Sequence, residues 1–376
     1  DVEIACFLSA CAGGRLGFDE IVALTQAMVN CGQQLDWPGV DRVFDKHCVG
    51  GLPGNRTTPL VVSIVSAAGL VMPKTSSRAI TSPAGTADTM EALTNVRLGL
   101  NEIRRVVRET GACLAWGGAM NLSPADDLLI RIERALDLDG EGQLVASVLS
   151  KKIAAGSTHA VIDIPVGETA KVRTPGDADR LASLFTSVGA ACGLKVRCIA
   201  TDGSKPVGAG IGPTEEARDV LAVLQGKRGA PEDLRSRAIL LAGHLFDLAD
   251  GRGVKEGMVK AERLLQNGSA WGQFKRITEA QGGQRSLGEA RFRRPVLCSE
   301  SGTIVSIDNR RLARVAKLAG APASSTAGLR LLATVGDRVT KGEPLYELLS
   351  DSPGQQDYAL AFNDMGPAIF TVKREE

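Results

Sequence analysis

Residues 41–77 read DRVFDKHCVGGLPGNRTTPLVVSIVSAAGLVMPKTSS. The residues around Val43 and Phe44 are followed by a glycine-rich loop, by an apolar stretch that ends at Gly69, and by a second apolar run from about Leu70. This order predicts a strand, a loop, a helix and a second strand, which together form a βαβ unit. Strand-like and helix-like segments continue to alternate as far as Gly193, so the sequence predicts an α/β fold with a parallel sheet.

Helical periodicity lies on both sides of this unit. Apolar positions recur at helical spacing over residues 2–30 and again over 126–155, which predicts a small all-α helical domain beside the α/β domain. After Asn267 the chain becomes rich in Gln, Gly, Arg and Ser, and short β-like runs beyond it predict a C-terminal β-rich (α+β) module. The predicted segments are 1–38 and 126–158 for the helical domain, 39–125 and 159–290 for the α/β domain, and 291–376 for the C-terminal module.

Composition narrows the classes of function. The 376 residues carry 44 Lys plus Arg against 43 Asp plus Glu, a formal charge of +1, without the basic excess of proteins that bind nucleic acid polymers. The longest apolar run, residues 60–72, is shorter than the ~20 residues that span a bilayer. Eight scattered cysteines without a CxxC pair predict reduced thiols and a cytoplasmic location. The three histidines lack metal-ligand spacing, so we predict no metal site.

Two loops predict an anion site. Thr58 as N-cap and Pro59 as first helical residue mark a helix amino terminus after the glycine loop, where Lys46 adds a positive charge. The second loop, residues 74–86, carries five hydroxyls and Arg78 ahead of a helix with Thr86 as predicted N-cap. Loops that follow neighbouring parallel strands meet at one edge of the sheet. The alternatives are a tight turn with a solvated lysine and a solvated Ser/Thr-rich connection.

Five stretches resemble the thymidine phosphorylase family, most closely its AMP phosphorylase branch: DKHCVGGLPGN (45–55), KTSSRAITSPAGTAD (74–88), WGGAMNLSPADD (116–127), GQLVASVLSKKIAAGSTHAVIDIPVG (142–167) and TDGSKPVGAGIGP (201–213). The resemblance implies a nucleoside phosphorylase/phosphoribosyltransferase-like architecture in a homodimer or higher homo-oligomer. It implies cleavage of the N-glycosidic bond of a nucleoside or nucleotide by inorganic phosphate, with no cofactor. The AMP branch has an additional amino-terminal domain, and a start at Asp1 rather than Met leads us to expect missing sequence upstream.

The resemblance also implies roles for individual residues. It places five residues around the phosphate: Lys46, Cys48, Thr58, Ser76 and Thr86. Cys48 departs from the family's usual serine, and a thiol is the weaker hydrogen-bond donor. The residues implied for the nucleotide or its base are Gly51, Ser77, Arg78, Ala79, Ile80, Thr81, Ser82, Ser147 and Lys151. Asp139 and Lys171 match positions for proton donation and ligand contact, and Arg78 is the expected partner of a 5′-phosphate.

Spacing supports part of this assignment and leaves part of it open. Ser147 and Lys151 are four residues apart and share a helix face, although Lys151 also suits a solvated helix end. His47 is assigned to the catalytic group largely through the resemblance, and an imidazole that titrates near neutral pH suits that role, with a packing role as the alternative. Asp126 and Asp127 read as capping residues at a helix start. Arg131 and Arg134 both miss the spacing of the family's thymine-binding arginine.

Two other functions stay open at this point. A magnesium-dependent phosphoribosyltransferase would need acidic ligands beside the glycine loop, where the sequence offers Asp45. A non-catalytic nucleotide-binding regulator would explain Cys48. Within the phosphorylase reading we expect 5′-monophosphates to be better substrates than free nucleosides. We also expect Cys48 to be the most readily alkylated cysteine, because it lies near a helix amino terminus.

Overall fold

The computed structural model describes residues 1–79, 82–136, 138 and 140–374, and of Arg134 only the backbone. The first half of the chain forms α1 (Val2–Cys11), α2 (Phe18–Asn30), β1 (Phe44–Cys48), α3 (Thr57–Ala67), β2 (Met72–Ser76), α4 (Thr86–Glu91), α5 (Leu100–Thr110), β3 (Ala112–Trp116), α6 (Pro124–Leu136), α7 (Glu141–Ala154), β4 (His159–Val166) and α8 (Pro175–Ala191). The second half forms β5 (Lys195–Asp202), β6 (Gly210–Ile211), α9 (Pro213–Leu224), α10 (Glu232–Asp250), α11 (Val254–Gln266), α12 (Ser269–Ala280), β7 (Phe292–Leu297), β8 (Gly302–Ile307), α13 (Asn309–Leu318), β9 (Gly328–Leu331), β10 (Arg338–Val339), β11 (Pro344–Ser350), α14 (Pro353–Asp364) and β12 (Phe370–Lys373).

The central sheet is parallel. β1 pairs with β4, β4 pairs with β5, and β2 pairs with β3. A parallel bridge between Val43 and Val71 joins the two ladders, which gives the order β3-β2-β1-β4-β5. The predicted βαβ unit is therefore confirmed, and the carboxyl ends of β1 and β2 lie side by side at one edge of the sheet.

Helices cover both sides of this sheet. α3 is buried along nearly its whole length because apolar side chains surround its axis. α12 falls in the stretch where composition changes, yet Phe274 and Ile277 are fully buried in the same apolar cluster as α3. α7 packs on α2 and α8 through Val145, Val148 and Leu149, while α1 packs on α6. No helix in the described ranges is long and apolar enough to cross a membrane.

The C-terminal module is β-rich, as predicted. β8 pairs with β10 and β12, and a second sheet has the order β6-β9-β11-β7. Because β6 lies before α9 in the chain, this second sheet is shared with the preceding part of the fold. Arg330 on β9 strengthens the junction through ion pairs of 3.0 Å to Glu215 and 3.5 Å to Asp219, both on α9.

Two predicted helix caps are one or two residues out of place. The N-cap of α3 is Arg56, and Thr58 lies inside the first turn with Pro59. The N-cap of α4 is Gly85, whose N–H donates to the carboxylate of Asp88 at 2.9 Å, so Thr86 is the first helical residue. Thr58 and Thr86 are therefore not the caps, and the hydroxyl of Thr86 instead accepts a hydrogen bond from the guanidinium of Arg56.

A buried ionic cluster joins three elements. Asp45 on β1 is fully buried and accepts ion pairs of 2.9 Å from Lys74 on β2 and 2.9 Å from Lys152 on α7. Burial opposes ionisation of Asp45, but the two ammonium groups hold the pKa of this carboxyl below its ordinary value. Burial lowers the pKa of Lys152 to about 7, against the attraction of Asp45. The carboxylate thus ties the sheet to α7.

We predict that Asp45→Asn lowers the free energy of unfolding by about 3–5 kcal/mol, because both ammonium groups lose their buried counterion. The loss grows as the pH falls below about 7. There Lys152 of the unmodified protein takes up a proton beside the Asp45 carboxylate, whereas Lys152 of the folded variant lacks this counterion. Urea titrations at several pH values measure both effects. The matched control is Glu109→Gln, which breaks a half-exposed pair with Arg105 and is expected to cost below about 1 kcal/mol. Equal losses in the two variants would contradict this account.

Candidate functional site

Lys46 lies at the centre of the predicted phosphate loop. Its side chain is almost fully buried, and Nζ donates to Oγ1 of Thr57 at 2.6 Å. In the described part of the chain no carboxylate oxygen lies within ion-pair distance of Nζ. Burial lowers the pKa of Lys46, against the attraction of Cys48 and of the Asp163 carboxylate, and the nearby Arg56 guanidinium acts in the same direction as burial. Asp163 compensates this buried charge only from beyond ion-pair distance, so an anion bound beside the Lys46 ammonium would be favoured.

Cys48 points to the same side of β1 as Lys46, since side chains two residues apart share a face of a strand. Nδ2 of Asn55 lies 3.2 Å from its sulfur. The same amide lies 3.4 Å from Oδ2 of Asp163, which is fully buried and accepts a 2.6 Å hydrogen bond from Thr201. Burial, together with the charge of Asp163, raises the pKa of Cys48 to about 12. A raised pKa favours the neutral thiol, which opposes the predicted ease of alkylation of Cys48.

Arg56 connects the two predicted anion loops, and sequence reasoning missed it. Its guanidinium donates to Oγ1 of Thr86 at 2.8 Å and to the carbonyl oxygen of Ala84 at 2.8 Å. It also forms a buried ion pair of 2.6 Å with Glu216 on α9. Burial raises the pKa of Glu216 to about 7 although Arg56 lowers it. The amino termini of α3 and α4 are thereby held together, which brings Thr58 and Thr86 to one edge of the sheet.

Ser76 ends β2 at this edge of the sheet. Its hydroxyl oxygen is buried and, within the described ranges, has no hydrogen-bond partner. A buried hydroxyl in that state is available to a ligand. The five residues assigned to phosphate thus lie at the ends of β1 and β2 and at the first turns of α3 and α4.

Arg78 has partners that differ from its predicted one. Its guanidinium forms ion pairs of 2.9 Å with Asp88 and 2.7 Å with Glu91, and it lies 4.7 Å from the ring of Trp116. The carboxylate of Asp88 also accepts from the N–H of Ala79 at 2.7 Å. Because two carboxylates surround one guanidinium, Arg78 offers no net positive charge to a 5′-phosphate. Its observed role is to hold the second loop on α4.

The rest of the second loop packs tightly on the start of α4. A Cβ at Gly85 would lie 2.5 Å from the backbone of Arg78 and 2.6 Å from the carbonyl oxygen of Ser77, so only glycine fits there. The hydroxyl of Ser82 donates to Ala84 at 2.9 Å. Ile80 and Thr81, both assigned to the nucleotide, lie outside the described residues.

The opposite wall is formed by α7. Nζ of Lys151 donates to Oγ of Ser147 at 3.1 Å, as their spacing predicts, and forms a 2.6 Å ion pair with Asp126 on α6. Asp126 is buried, so it acts as the counterion of Lys151 beyond its predicted place at a helix start. Arg131 forms an exposed pair with Asp1. The proposed proton donor, Asp139, and the side chain of Arg134 lie outside the described residues.

His47 lies near the lysines of α7, and the backbone of Lys171 lies beside Gly51 of the glycine loop. His47 is half-buried and points away from Lys46. Burial and four surrounding lysines lower its pKa well below the ordinary value, so it is neutral at pH 7 and the argument from neutral-pH titration is wrong. Gly51 has φ +81, and a Cβ there would lie 2.5 Å from the backbone nitrogen of Lys171. The glycine therefore lets the loop carrying Lys171 approach the phosphate loop.

Both the α/β part of the chain and the C-terminal module match known protein families. Residues 40–271 match a family model described as the glycosyl transferase family, a/b domain, and residues 303–364 match the pyrimidine nucleoside phosphorylase C-terminal domain. A protein of Cupriavidus necator, provisionally named thymidine phosphorylase 1, is 58% identical over 96% of this chain and 69% of its own length. The chain belongs to the thymidine phosphorylase family. A family member of Ralstonia nicotianae, provisionally named thymidine phosphorylase, is 57% identical over 98% of the chain and 73% of its length.

Solved structures show the same fold at low sequence identity. Anthranilate phosphoribosyltransferase from Thermus thermophilus superposes with a TM-score of 0.55 at 19% identity, over 74% of this chain and 95% of that one. The Saccharomyces cerevisiae enzyme gives 0.54 at 15% identity, over 70% and 79%. Family membership makes the protein an enzyme, a pentosyltransferase of the thymidine phosphorylase type.

We predict that Cys48 reacts slowly with iodoacetamide at pH 8, because burial keeps its thiol protonated. Cys6 and Cys31 are exposed, and their peptides are expected to be labelled first in a time course followed by mass spectrometry. Urea unfolding provides the control, since all eight cysteines should then react at similar rates. Preferential labelling of Cys48 in the folded protein would show that its environment stabilises a thiolate.

Proposed function

We propose that this enzyme catalyses the reversible phosphorolysis of the N-glycosidic bond of a nucleoside or nucleoside 5′-monophosphate. The products are the free base and (deoxy)ribose 1-phosphate, or ribose 1,5-bisphosphate when the substrate carries a 5′-phosphate. The observation that carries the proposal is the buried ammonium of Lys46, which donates to Thr57 at the amino terminus of α3, where Arg56 in turn binds Thr86 at the amino terminus of α4. This arrangement suits a small dianion such as inorganic phosphate.

The phosphate is the nucleophile in this reaction, so the protein contributes positioning and electrostatic stabilisation. Lys46, Thr58, Ser76 and Thr86 would hold phosphate below the sugar, and Cys48 would face it as a neutral thiol. The phosphate oxygen forms the new bond to C1′ as the bond to the base breaks. The negative charge of the phosphate also stabilises the positive charge that develops at C1′ in the transition state.

The departing base takes the electron pair of the broken bond and needs a proton or a positive charge. In this proposal Lys151 and Ser147 on α7 contact the base, and the ion pair with Asp126 supports it by holding the Lys151 ammonium in position. Asp139 as general acid and Lys171 as a cation beside the base complete the proposal by family resemblance. His47, neutral at pH 7, lies beside this lysine cluster and is proposed as a hydrogen-bonding group rather than as an acid.

The base and the need for a 5′-phosphate are the specific questions. The names of the relatives favour thymidine, whereas the SRAITS segment, residues 77–82, resembles the AMP branch. The pairing of Arg78 with Asp88 and Glu91 removes one argument for a 5′-phosphate. Incubation with thymidine, uridine, adenosine and their 5′-monophosphates, with and without phosphate, followed by quantification of free base, tests the substrate class directly.

The two alternative functions have less support. A magnesium-dependent phosphoribosyltransferase would use Asp45, but this carboxylate is buried between Lys74 and Lys152. Among the described residues no group of three or more His, Cys, Asp or Glu side chains is arranged to hold a metal ion. A non-catalytic regulator would be favoured by loss of the charged site, whereas Lys46 and Lys151 are both in place.

We predict that Lys46→Met lowers kcat/KM by about two orders of magnitude, since one strong electrostatic contact to the transition state is lost. The measurement is phosphate-dependent release of base from the best substrate of the panel. Lys227→Met, at an exposed position between α9 and α10, is the matched control and should keep full activity. Near-full turnover of Lys46→Met would remove the phosphate loop from this mechanism.

We predict that Arg78→Ala lowers activity on nucleosides and on 5′-monophosphates by the same factor, about 10 to 100, because the second loop loses its attachment to α4. Ratios of kcat/KM for each nucleoside and its monophosphate measure this. Arg97→Ala serves as the control, since Arg97 makes a more exposed contact with Glu91. A selective loss on monophosphates would instead show that Arg78 binds the 5′-phosphate.

A further inference from the structure

The first residues of α13, in the C-terminal module, contact the loop that carries Lys171. The backbone N–H of Asn309 donates to Oγ1 of Thr169 at 3.2 Å, and the guanidinium of Arg310 donates to the carbonyl oxygen of Ala170 at 3.2 Å. Asp308 caps the helix by accepting from the N–H of Arg310 at 3.0 Å. The contact therefore joins the capped amino terminus of α13 to the two residues immediately before Lys171.

The side chain of Asn309 makes a second connection. Asn309 is fully buried, and its Nδ2 donates to the carbonyl oxygen of Gly203 at 3.1 Å. Gly203 packs against Gly167, at the start of the Lys171 loop, so closely that a Cβ on Gly167 would lie 2.4 Å from the Gly203 carbonyl oxygen. Asn309 thus contacts the loop through its backbone N–H, and its side chain fixes the segment on which the loop rests.

The Lys171 loop is held on its other side as well. Gly167 donates to Val172 at 3.1 Å and Ala170 donates to Gly167 at 3.0 Å, which closes the loop on itself. The backbone of Lys171 touches Gly51 of the phosphate loop. Because these hydrogen bonds close the loop, a small shift of the loop relative to α13 would move Lys171 together with it.

We infer that Asn309 and Arg310 are positioning residues for Lys171, so that the C-terminal module sets the geometry of the base-binding side of the site. The inference rests on the proposed function, in which Lys171 lies beside the departing base. One observation distinguishes it from simple attachment of the module. Within the described ranges, Oδ1 of Asn309 is buried without a hydrogen-bond partner, a cost that a purely stabilising residue would avoid.

The test is a double-mutant cycle with Asn309→Ala, Lys171→Ala and the combined variant, measured as kcat at saturating phosphate. We expect Asn309→Ala to lower kcat by about tenfold through misplacement of Lys171 and to leave the KM for phosphate unchanged. The combined variant should be no slower than Lys171→Ala alone. Arg310→Ala, at an exposed position, should reproduce a smaller loss of the same kind and keeps the test valid if Asn309→Ala folds poorly.

A matched control separates positioning from attachment. Arg330→Ala removes the ion pairs that join β9 of the module to α9 and leaves the contacts of α13 intact, so it should leave hydrogen exchange at residues 167–172 unchanged. Hydrogen exchange gives a readout independent of activity, with faster exchange expected at residues 167–172 in Asn309→Ala and unchanged exchange at residues 44–48.

Three results would overturn the inference. The first is a loss of kcat in the combined variant equal to the product of the two single losses. The others are full activity of Lys171→Ala and unaltered hydrogen exchange at residues 167–172 in Asn309→Ala. Failure of the proposed function would appear differently, as base release by the unmodified protein that does not depend on phosphate. In that case the exchange measurement still decides whether Asn309 fixes the loop.

Discussion

The ion pair between Arg56 and Glu216 is the interaction on which the geometry of the candidate site depends. It joins the loop after β1 to α9 and, through Thr86, to the start of α4. Two helix amino termini that come from separate parts of the chain are therefore fixed at one edge of the sheet. Buried ion pairs contribute little net stability, but their hydrogen-bond geometry is demanding, which suits the fixing of a relative position. α9 also carries the contacts of Glu215 and Asp219 with Arg330, so the same helix connects the anion site to the C-terminal module.

The alternation of side chains along β1 divides the site into two halves. Lys46 and Cys48 face the glycine loop and the predicted phosphate, whereas Asp45 and His47 face α7 and its lysines. In the proposed mechanism, this one short strand would supply residues for the nucleophile on one side and for the base on the other. The two halves also differ in charge compensation. Asp45 and Asp126 form close ion pairs with lysines on the α7 side, whereas Lys46 donates to the hydroxyl of Thr57 and is attracted by Asp163 from beyond ion-pair distance.

Periodicity was sufficient to predict the βαβ unit at the centre of the sheet. The unit from β1 to β2 follows from local apolar patterns and glycine positions, whereas β5 begins beyond Gly193, where the predicted alternation ends. The helix caps were misplaced because threonine is a frequent cap, whereas here Gly85 and Arg56 occupy those positions. Arg56 and Glu216 are 160 residues apart, so no local signal announces their pairing. The pKa directions of His47 and Cys48 were also inaccessible, because they arise from burial and from charges on other elements. The assignment of roles to Asp139, Lys171 and the phosphate ligands remains a prediction.

The central claim is that inorganic phosphate, bound at Lys46, is the nucleophile that attacks C1′. The most direct measurement is a reaction of the protein with ¹⁸O-labelled phosphate and a substrate nucleoside labelled with ¹³C at C1′, followed by ¹³C NMR. The account predicts a sugar 1-phosphate whose C1 signal shows the isotope shift of a bridging ¹⁸O, in equal amount to the free base. Release of base with unphosphorylated sugar, or at a rate that does not depend on phosphate, would contradict it.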